Sequence, residues 1–513
     1  MMQFVDKLLN KFTMYRLTLY YLAALLLVGL ALSVFGVIAA RPLDILTTTA
    51  LLLAVCYVVN VVFSRIMRIH SNPESSLITA LILALIMGPV HVFTDARHAL
   101  ILLLSGTVAV ASKYLLAVRR QHLFNPAAAG ALFSALVFGT YASWWVGSIA
   151  MLPLVVIGGL LLIRKISRIR LAGVFIAGFI LFNTGLALIQ GLGLDMVLQS
   201  LLFVFGQTSL LFFLVVMFTE PMTSPKRFSQ QIIYAAIVAF LYQPQLTIAG
   251  QNLTPEEALL IGNLFSFIVS PSFKLRLTLK ESTHIGDGMM SFTFDKPKGF
   301  THRLGQYMEW SLPLAAGDSR GNRRHFSIAS SPTEPHIMIA ARFYPSSSAY
   351  KREMQSMEPG HPIVAGELGG DFVLPRDPRI PLAFVAGGIG ITPFRSMIKY
   401  LIDTGERRDI VLLYSNYAES EIVFRDVFEE AKKVVGLKVV YTLTDTARIR
   451  PDWCGARGFI DKEMITREVT DISSRLFFVS GSPGMVNTMK NTLRGMGVSR
   501  RKVHSDYFPG YSS

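Results

Sequence analysis

Apolar stretches begin near Leu17, Leu43, Ser76, His98, Pro126, Gly147, Leu171, Asp195, Phe228 and Thr254, and each approaches the ~20 residues an α-helix needs to cross a bilayer. A soluble core could not bury that much hydrocarbon. Over the 513 residues, 52% are hydrophobic and only 16% charged, with a mean hydropathy of +0.46. The chain therefore reads as two parts: a polytopic α-helical membrane domain of ten spans over residues 1–272, and mixed globular sequence beyond it. Stretches as short as Ser76 to Val90 leave room for half-spans lying over a cofactor.

The loops set an orientation. With the N-terminus in the cytoplasm, the inner segments carry Lys7, Lys11, Arg16, Arg65, Arg68, Arg119, Arg120, Arg164, Lys165, Arg168, Arg170, Lys226 and Arg227, and the outer loops carry only Arg41 and Arg97. That is the positive-inside pattern for an even number of spans. It predicts an integral protein of the cytoplasmic membrane with both termini cytoplasmic. Lys+Arg 49 against Asp+Glu 34 gives a net charge of +15, which loops beside anionic lipid account for. No basic stripe points to nucleic acid. A cleaved signal peptide fits poorly, because the run from Leu17 to Ala40 is longer than an h-region and a second span follows almost at once. Two cysteines, Cys56 and Cys454, cannot ligate a four-thiolate iron–sulfur cluster or build a disulfide scaffold, and no metal site is expected.

Polar groups inside spans are costly and point to function. His122-Leu-Phe-Asn125-Pro126 opens the fifth span, Thr219-Glu-Pro-Met-Thr223-Ser-Pro225 closes the eighth at the same face, and Asn263 lies in the last. Helix capping or an interhelical hydrogen bond is the plainer use of each. Taken together, with Met217-Phe before the second motif and Leu259-Leu-Ile-Gly before Asn263, they resemble the membrane subunit shared by the sodium-pumping NADH:quinone oxidoreductase and the Rnf complex. That resemblance implies ten spans and a flavin, FMN or riboflavin, near Asn125 and Thr223. Members attach FMN through a threonine in a Ser-Gly-Ala-Thr loop after the fifth span. Here Gly139-Thr-Tyr-Ala-Ser-Trp-Trp145 stands instead, so any such flavin is expected to be noncovalent.

Beyond Phe273 the pattern changes. Strand-like runs at Lys274 to Leu279, Met289 to Phe294, Gln306 to Leu312 and Ile337 to Phe343 predict an antiparallel β-barrel over residues 273–378. From residue 379 to 513, strands at Leu382 to Ala386, Ile410 to Tyr414, Lys438 to Thr442 and Leu476 to Ser480 alternate with helices, predicting an α/β doubly wound parallel sheet. Gly387-Gly388-Ile-Gly390 sits at the first strand-to-helix junction, Ile391-Thr392-Pro393 starts the helix, and Gly481-Ser-Pro483-Gly marks a second loop at the same sheet edge. Glycines there let backbone amides approach a phosphate, or simply let strand and helix pack closely. In the barrel, Arg324-His325-Phe326-Ser327 alternates along a strand, so Arg324 and Phe326 share one face and His325 and Ser327 the other. An arginine can fork onto phosphate, a ring can stack on a flat cofactor and a hydroxyl can bond a ring nitrogen.

With Gly305-Gln-Tyr307, Ser346-Ser-Ser348, Lys351 and Gly370-Asp-Phe372 in order around it, this set resembles the ferredoxin–NADP reductase family over the last half of the chain. The resemblance implies that FAD is held by Arg324, with His325, Phe326 and Ser327 at the flavin, and Ser348, Gly370 and Phe372 along the pyrophosphate. NADH or NADPH would be held by Gly387, Gly388, Gly390, Thr392, Gly481 and Pro483. Asp506-Tyr-Phe508-Pro-Gly-Tyr511 is similar to the family's terminal aromatic segment, placing Phe508 and Tyr511 over the flavin. Ser327, Ser480 and Tyr511 are the catalytic candidates, with Ser480 where many members have cysteine. Ser415-Asn-Tyr417 lacks the neighbouring arginine that NADPH-specific members use, which leans toward NADH, with Arg425 and Lys399 as other possible anchors for a 2′-phosphate.

The expected function is a membrane-bound oxidoreductase passing electrons from cytoplasmic NAD(P)H through FAD to a membrane flavin, then to quinone or an extracytoplasmic acceptor such as a separate flavinylated protein. A redox-driven sodium or proton transporter, with Glu220 and Asp44 as carriers, and a simple NAD(P)H:quinone reductase with a membrane docking domain are the alternatives. A haem-based reductase would need paired axial histidines. His70, His91, His98 and His122 fall near span ends instead.

Overall fold

In the computed structural model, the described residues are 9, 12–67, 73–118, 121–207, 209–248, 250–270, 274–314, 321–345 and 347–506. The chain divides into two compact units, Met1–Phe273 and Lys274–Ser513.

The first unit is helical: α1 (Met14–Val34), α2 (Pro42–Ile66), α3 (Pro73–Ile86), α4 (Ala96–Leu115), α5 (Pro126–Phe138), α6 (Leu152–Lys165), α7 (Ile169–Ile189), α8 (Leu194–Gln207), α9 (Leu210–Phe218), α10 (Phe228–Leu241) and α11 (Pro255–Val269). Two small hairpins, β1 (Ala117–Val118) with β2 (Gln121–His122) and β3 (Thr247–Ile248) with β4 (Gln251–Asn252), join them. Among the described residues, four helices, α1, α2, α4 and α7, are long and apolar enough to cross a membrane, and α8 with α9, bent by 60° at a break, would make a fifth. The ten expected spans are thus not ten full-length helices. The apolar helices α3, α5 and α10 have 14, 13 and 14 residues, roughly 20 Å at 1.5 Å per residue, short of a ~30 Å hydrocarbon core. Leu27, Phe35, Leu136 and Ile189 are more than half exposed, as a lipid-facing surface requires. Helix packing uses small residues: a Cβ on Gly130 of α5 would lie 2.5 Å from the Ser105 carbonyl of α4.

The second unit begins with six antiparallel strands, β5 (Leu275–Gly286), β6 (Met289–Asp295), β7 (Tyr307–Ser311), β8 (Arg323–Ser327), β9 (His336–Arg342) and β10 (Pro362–Gly369), in the order β8-β7-β10-β5-β6-β9. Helix α12 (Ala349–Gln355) precedes β10. Just past β8 the chain crosses to the opposite edge, where the Ala329 N–H donates to the Met338 carbonyl at 2.7 Å and the Met338 N–H to Ser330 Oγ at 2.9 Å. These bonds bring the two edges together in the manner of a barrel. Phe292, Phe294, Met308, Trp310 and Tyr350 fill its interior.

Next come β11 (Leu382–Gly387), α13 (Thr392–Thr404), β12 (Ile410–Asn416), α14 (Arg425–Val434), β13 (Lys438–Leu443), β14 (Ala456–Arg457), α15 (Lys462–Glu468), β15 (Leu476–Ser480), α16 (Pro483–Gly495) and β16 (Val503–Asp506). The strands form one parallel sheet, β14-β13-β12-β11-β15-β16. Phe384 and Tyr414 face one hydrophobic layer with Phe394 and Phe428, and Val385 and Leu413 face the other with Val486 and Met489. This burial on both faces is what near-continuous apolar strands demand. Strand order reverses between β11 and β15, so the crevice at their carboxyl ends is where such sheets bind ligands. Sheet and barrel are tied by Arg395 of α13, which pairs with Glu334 and donates to the Ala329 carbonyl at 3.2 Å, and by Ser396 Oγ, which donates to the Ser330 carbonyl at 2.7 Å.

Candidate functional site

A cleft of about 1340 Å³ opens where β11 and β15 end, walled on its other side by β8 and the end of β9. The loops after β11 and β15 meet at its floor. A Cβ on Gly390 would lie 2.6 Å from the Ser480 carbonyl and 2.7 Å from the Gly481 backbone, and one on Gly387 would lie 2.1 Å from Met485 Sδ. At Gly390, whose neighbours are backbone, only glycine allows this approach, and Gly388 adopts φ +52°. Two helices start at the cleft: α13, with Pro393 in its first turn, and α16, with Ser482 accepting the Met485 N–H at 3.3 Å. Their unsatisfied N–H groups favour an anion there.

The barrel wall supplies cations. Arg324 lies over the Tyr350 ring at 5.0 Å and donates to Ser348 Oγ at 3.4 Å. Lys351 donates to the Arg342 carbonyl at 2.5 Å, and Arg342 pairs with Glu421. Burial, with Arg324 and Arg342 nearby, lowers the Lys351 pKa below its ordinary value. A lysine whose charge is disfavoured in this way, with Arg324 beside it, suits a pyrophosphate, whose charge would offset theirs. The cleft residues therefore fit a dinucleotide cofactor of the FAD type, with Arg324, Ser348 and Lys351 to hold its phosphates.

Residues 384–491 match the family described as "Oxidoreductase NAD-binding domain". The chain is 29% identical over 227 residues to ferredoxin–NADP reductase B of Sorangium cellulosum, covering 43% of this chain and 90% of that protein. The C-terminal unit is a ferredoxin–NADP reductase-like FAD/NAD-binding unit. It is also 27% identical over 231 residues to the reductase subunit of stachydrine N-demethylase of Rhizobium meliloti, over 44% of this chain and 64% of the relative. The chain thus spans less than two thirds of that relative. Among solved structures, a ferredoxin–NADP+ reductase from Neisseria gonorrhoeae with bound FAD and NADP is 18% identical, with a TM-score of 0.39, over 45% of this chain and 98% of that one.

The reductase unit gathers most of the sequence-predicted residues in one place: Arg324, His325, Phe326, Ser327, Ser348, Gly387, Gly388, Gly390, Thr392, Ser480, Gly481 and Pro483 all line the cleft. Gly370 and Phe372 do not. Phe372 is 5% exposed and packs edge-on against Phe394 and Phe478 at 5.5 and 5.1 Å, so its ring serves the core. Gly370, at φ +113°, abuts the Tyr307 ring. Phe508 and Tyr511 lie outside the described residues.

Sequence reasoning did not give Asp506 a role. Strand β16 pairs Asp506 with Ser480, and Ser327 Oγ donates to Asp506 Oδ2 at 3.4 Å. Burial pushes the Asp506 carboxyl up to about 6, partly opposed by the Ser327 bond. A carboxyl poised near neutrality and bonded to the cleft-lining Ser327 hydroxyl can hold or release a proton. The one available signal was its place just before the terminal aromatic segment.

In the N-terminal unit the three polar motifs converge. Asn125 caps α5 by accepting the Ala128 N–H at 3.0 Å, while its Nδ2 donates to Glu220 Oε2 at 2.7 Å and its backbone N–H to Asn263 Oδ1 at 2.9 Å. Thr223 Oγ1 donates to Glu220 Oε2 at 3.2 Å, and Asn263 Nδ2 to the Thr223 carbonyl at 3.3 Å. His122 Nε2 stands 3.8 Å from Glu220 Oε1. A cavity of about 70 Å³ beside them is lined by His122, Asn125, Glu220 and Lys113. Glu220 follows closely on a π-helical turn, Phe213–Phe218, a distortion that recurs at functional sites.

Proposed function

We propose that the chain is a membrane-bound, flavin-dependent NADH oxidoreductase that delivers electrons from cytoplasmic NADH through FAD into its membrane domain. The observation that carries this reading is the convergence of the Gly387–Thr392 loop, the Gly481–Pro483 loop and the Arg324–Ser327 strand on one cleft. FAD, when bound, accepts a hydride and releases electrons one at a time. Around it, Arg324 and Lys351 hold phosphate, Ser327 and Asp506 hold a proton at the cleft, and the glycine loops admit the nicotinamide dinucleotide. NADH is favoured over NADPH because the other candidate 2′-phosphate anchors are engaged: Arg425 pairs with Glu419 at 3.1 Å and Lys399 with Asp403 at 2.7 Å. Glu421, whose Oε2 accepts the Tyr417 N–H at 3.3 Å, puts a carboxylate in the cleft wall instead.

In our reading the domains run 1–272, 273–378 and 379–513, and the shorter apolar helices act as half-spans completing a ten-segment membrane domain in the cytoplasmic membrane. Its loops carry the basic residues that place both termini in the cytoplasm. The Asn125, Glu220, Thr223 and Asn263 network orders backbone and carboxylate around a noncovalent FMN or riboflavin. A flavin held there would supply one-electron transfer to quinone or to an extracytoplasmic acceptor, such as a separate flavinylated protein. Coupled sodium or proton movement through Glu220 is the second reading, favoured by a half-buried carboxylate that lines one cavity with Lys113. Partial reactions test the circuit. Asn125→Ala should keep NADH:ferricyanide activity near wild type while quinone reduction falls at least tenfold. Equal loss of both activities would contradict a relay through the membrane domain.

A further inference from the structure

At the rim of the nucleotide cleft, where His325 also lines it, the barrel carries a mixed cluster of carboxylates and imidazole. One carboxylate oxygen each from Glu309 and Glu367 and one ring nitrogen of His325 lie within 4.8 Å of one another. Strand pairing builds the cluster. Glu309 of β7 stands directly opposite His325 of β8, and on its other side opposite Gly366 of β10. Just past Gly366 the β7–β10 register shifts, and Glu367 adopts φ +50°, a conformation side chains rarely take. Such a bulge re-aims a side chain, and here it brings a carboxylate from a third strand toward the same point.

The Glu309 side chain is only 14% accessible, and its Oε1 lies 3.2 Å from Arg323 Nη1. The His325 ring packs edge-on against Tyr307, with centroids 5.3 Å apart. Among the described residues, Arg323 offsets one carboxylate charge, and a second carboxylate stands beside the imidazole. Zinc takes His nitrogen and carboxylate oxygen at ~2.0–2.2 Å, and three protein ligands with one water are a common set. An imidazole ligand suits zinc better than magnesium or calcium, which prefer all-oxygen shells, and the absence of thiolate argues against copper(I).

We propose that Glu309, His325 and Glu367 form a binding site for a divalent first-row cation of the zinc class, clamping β8 to β7 and β10. Because β8 also carries Arg324, Phe326 and Ser327 into the cleft, an ion there steadies the strand that walls the cleft. The ion binding does not depend on the proposed electron path, and it is tested separately from it.

The experiment is a zinc titration of the FAD-loaded, detergent-purified full chain against a chromophoric chelator, with cobalt(II) absorption as a second readout. One saturable site per chain is expected, with affinity at least tenfold weaker in Glu367→Gln and Glu309→Gln and with cobalt bands lost in both. FAD absorbance reports that the variants are folded. A melting temperature that rises with zinc in the wild type and not in Glu367→Gln supports the clamp. Binding as tight in both folded variants as in wild type, or no saturable site at all, overturns the proposal.

Discussion

At the scale of single residues, two buried groups of the reductase unit pull in opposite directions with pH. Burial pushes His302 down to about 4, while its Nε2 lies 3.1 Å from the Ser330 carbonyl. An unfolded histidine takes its proton near 6.5, so stability is lost as pH falls from about 6.5 toward 4, by up to ~3 kcal/mol. His302→Gln should flatten that loss in thermal melts between pH 7 and pH 4.5. Asp506 runs the other way: its carboxyl near 6 keeps a proton that the unfolded chain has already released, so its contribution fades as pH rises from about 4 to 6. Asp506→Asn should melt higher than wild type at pH 7.5, by an amount equivalent to at most ~3 kcal/mol, and should lose the acidic limb near pH 6 in its NADH oxidation profile. An unchanged profile would remove Asp506 from proton handling. Arg324, Ser327 and the glycine loops were legible in the sequence because their chemistry sits in contiguous motifs. Asp506 was not, since its meaning comes from pairing with Ser480 across strands far apart in the chain.

At the scale of elements, the β11 and β15 loops function as one piece, because backbone meets backbone at Gly390. Gly390→Ala forces a Cβ to within 2.6 Å of a carbonyl that no rotamer can move aside, an overpacking cost of ~1–3 kcal/mol. It should raise the KM for NADH at least tenfold with FAD content retained. Gly484→Ala, where a Cβ meets nothing within 4 Å, should leave that KM unchanged. Comparable effects from both would mean that the close approach is unimportant. The alternation of strand and helix after residue 379 was readable, since β11, β12 and β15 are apolar runs ended by glycine or polar turns. Strand β10 was not, because Gly366, Gly369 and the bulge break its pattern. In the N-terminal unit hydropathy located the helices but not their lengths: α5 ends at Gly139, φ +64°, although apolar residues continue nearly to the next helix.

At the scale of the whole molecule, a reductase-like unit and a helical unit that has, among the described residues, four membrane-length helices lie on one chain. The N-terminal motifs are scattered over more than a hundred residues, yet Asn125, Glu220, Thr223 and Asn263 close into one hydrogen-bonded network. Asn263 lies within a helix, Asn125 caps one, and Glu220 and Thr223 stand in the turn after another, and polar groups gathered in an apolar unit point to a ligand or a moving charge. The central claim is that electrons entering from NADH reach a second flavin held by this network. The most direct measurement is flavin extraction and anaerobic NADH titration of the detergent-purified protein, compared with Asn125→Ala. The account predicts about one FAD and one FMN or riboflavin per chain, both released without proteolysis and both bleached by NADH, with only the second missing from the variant. One FAD per chain, unchanged in Asn125→Ala, would contradict it.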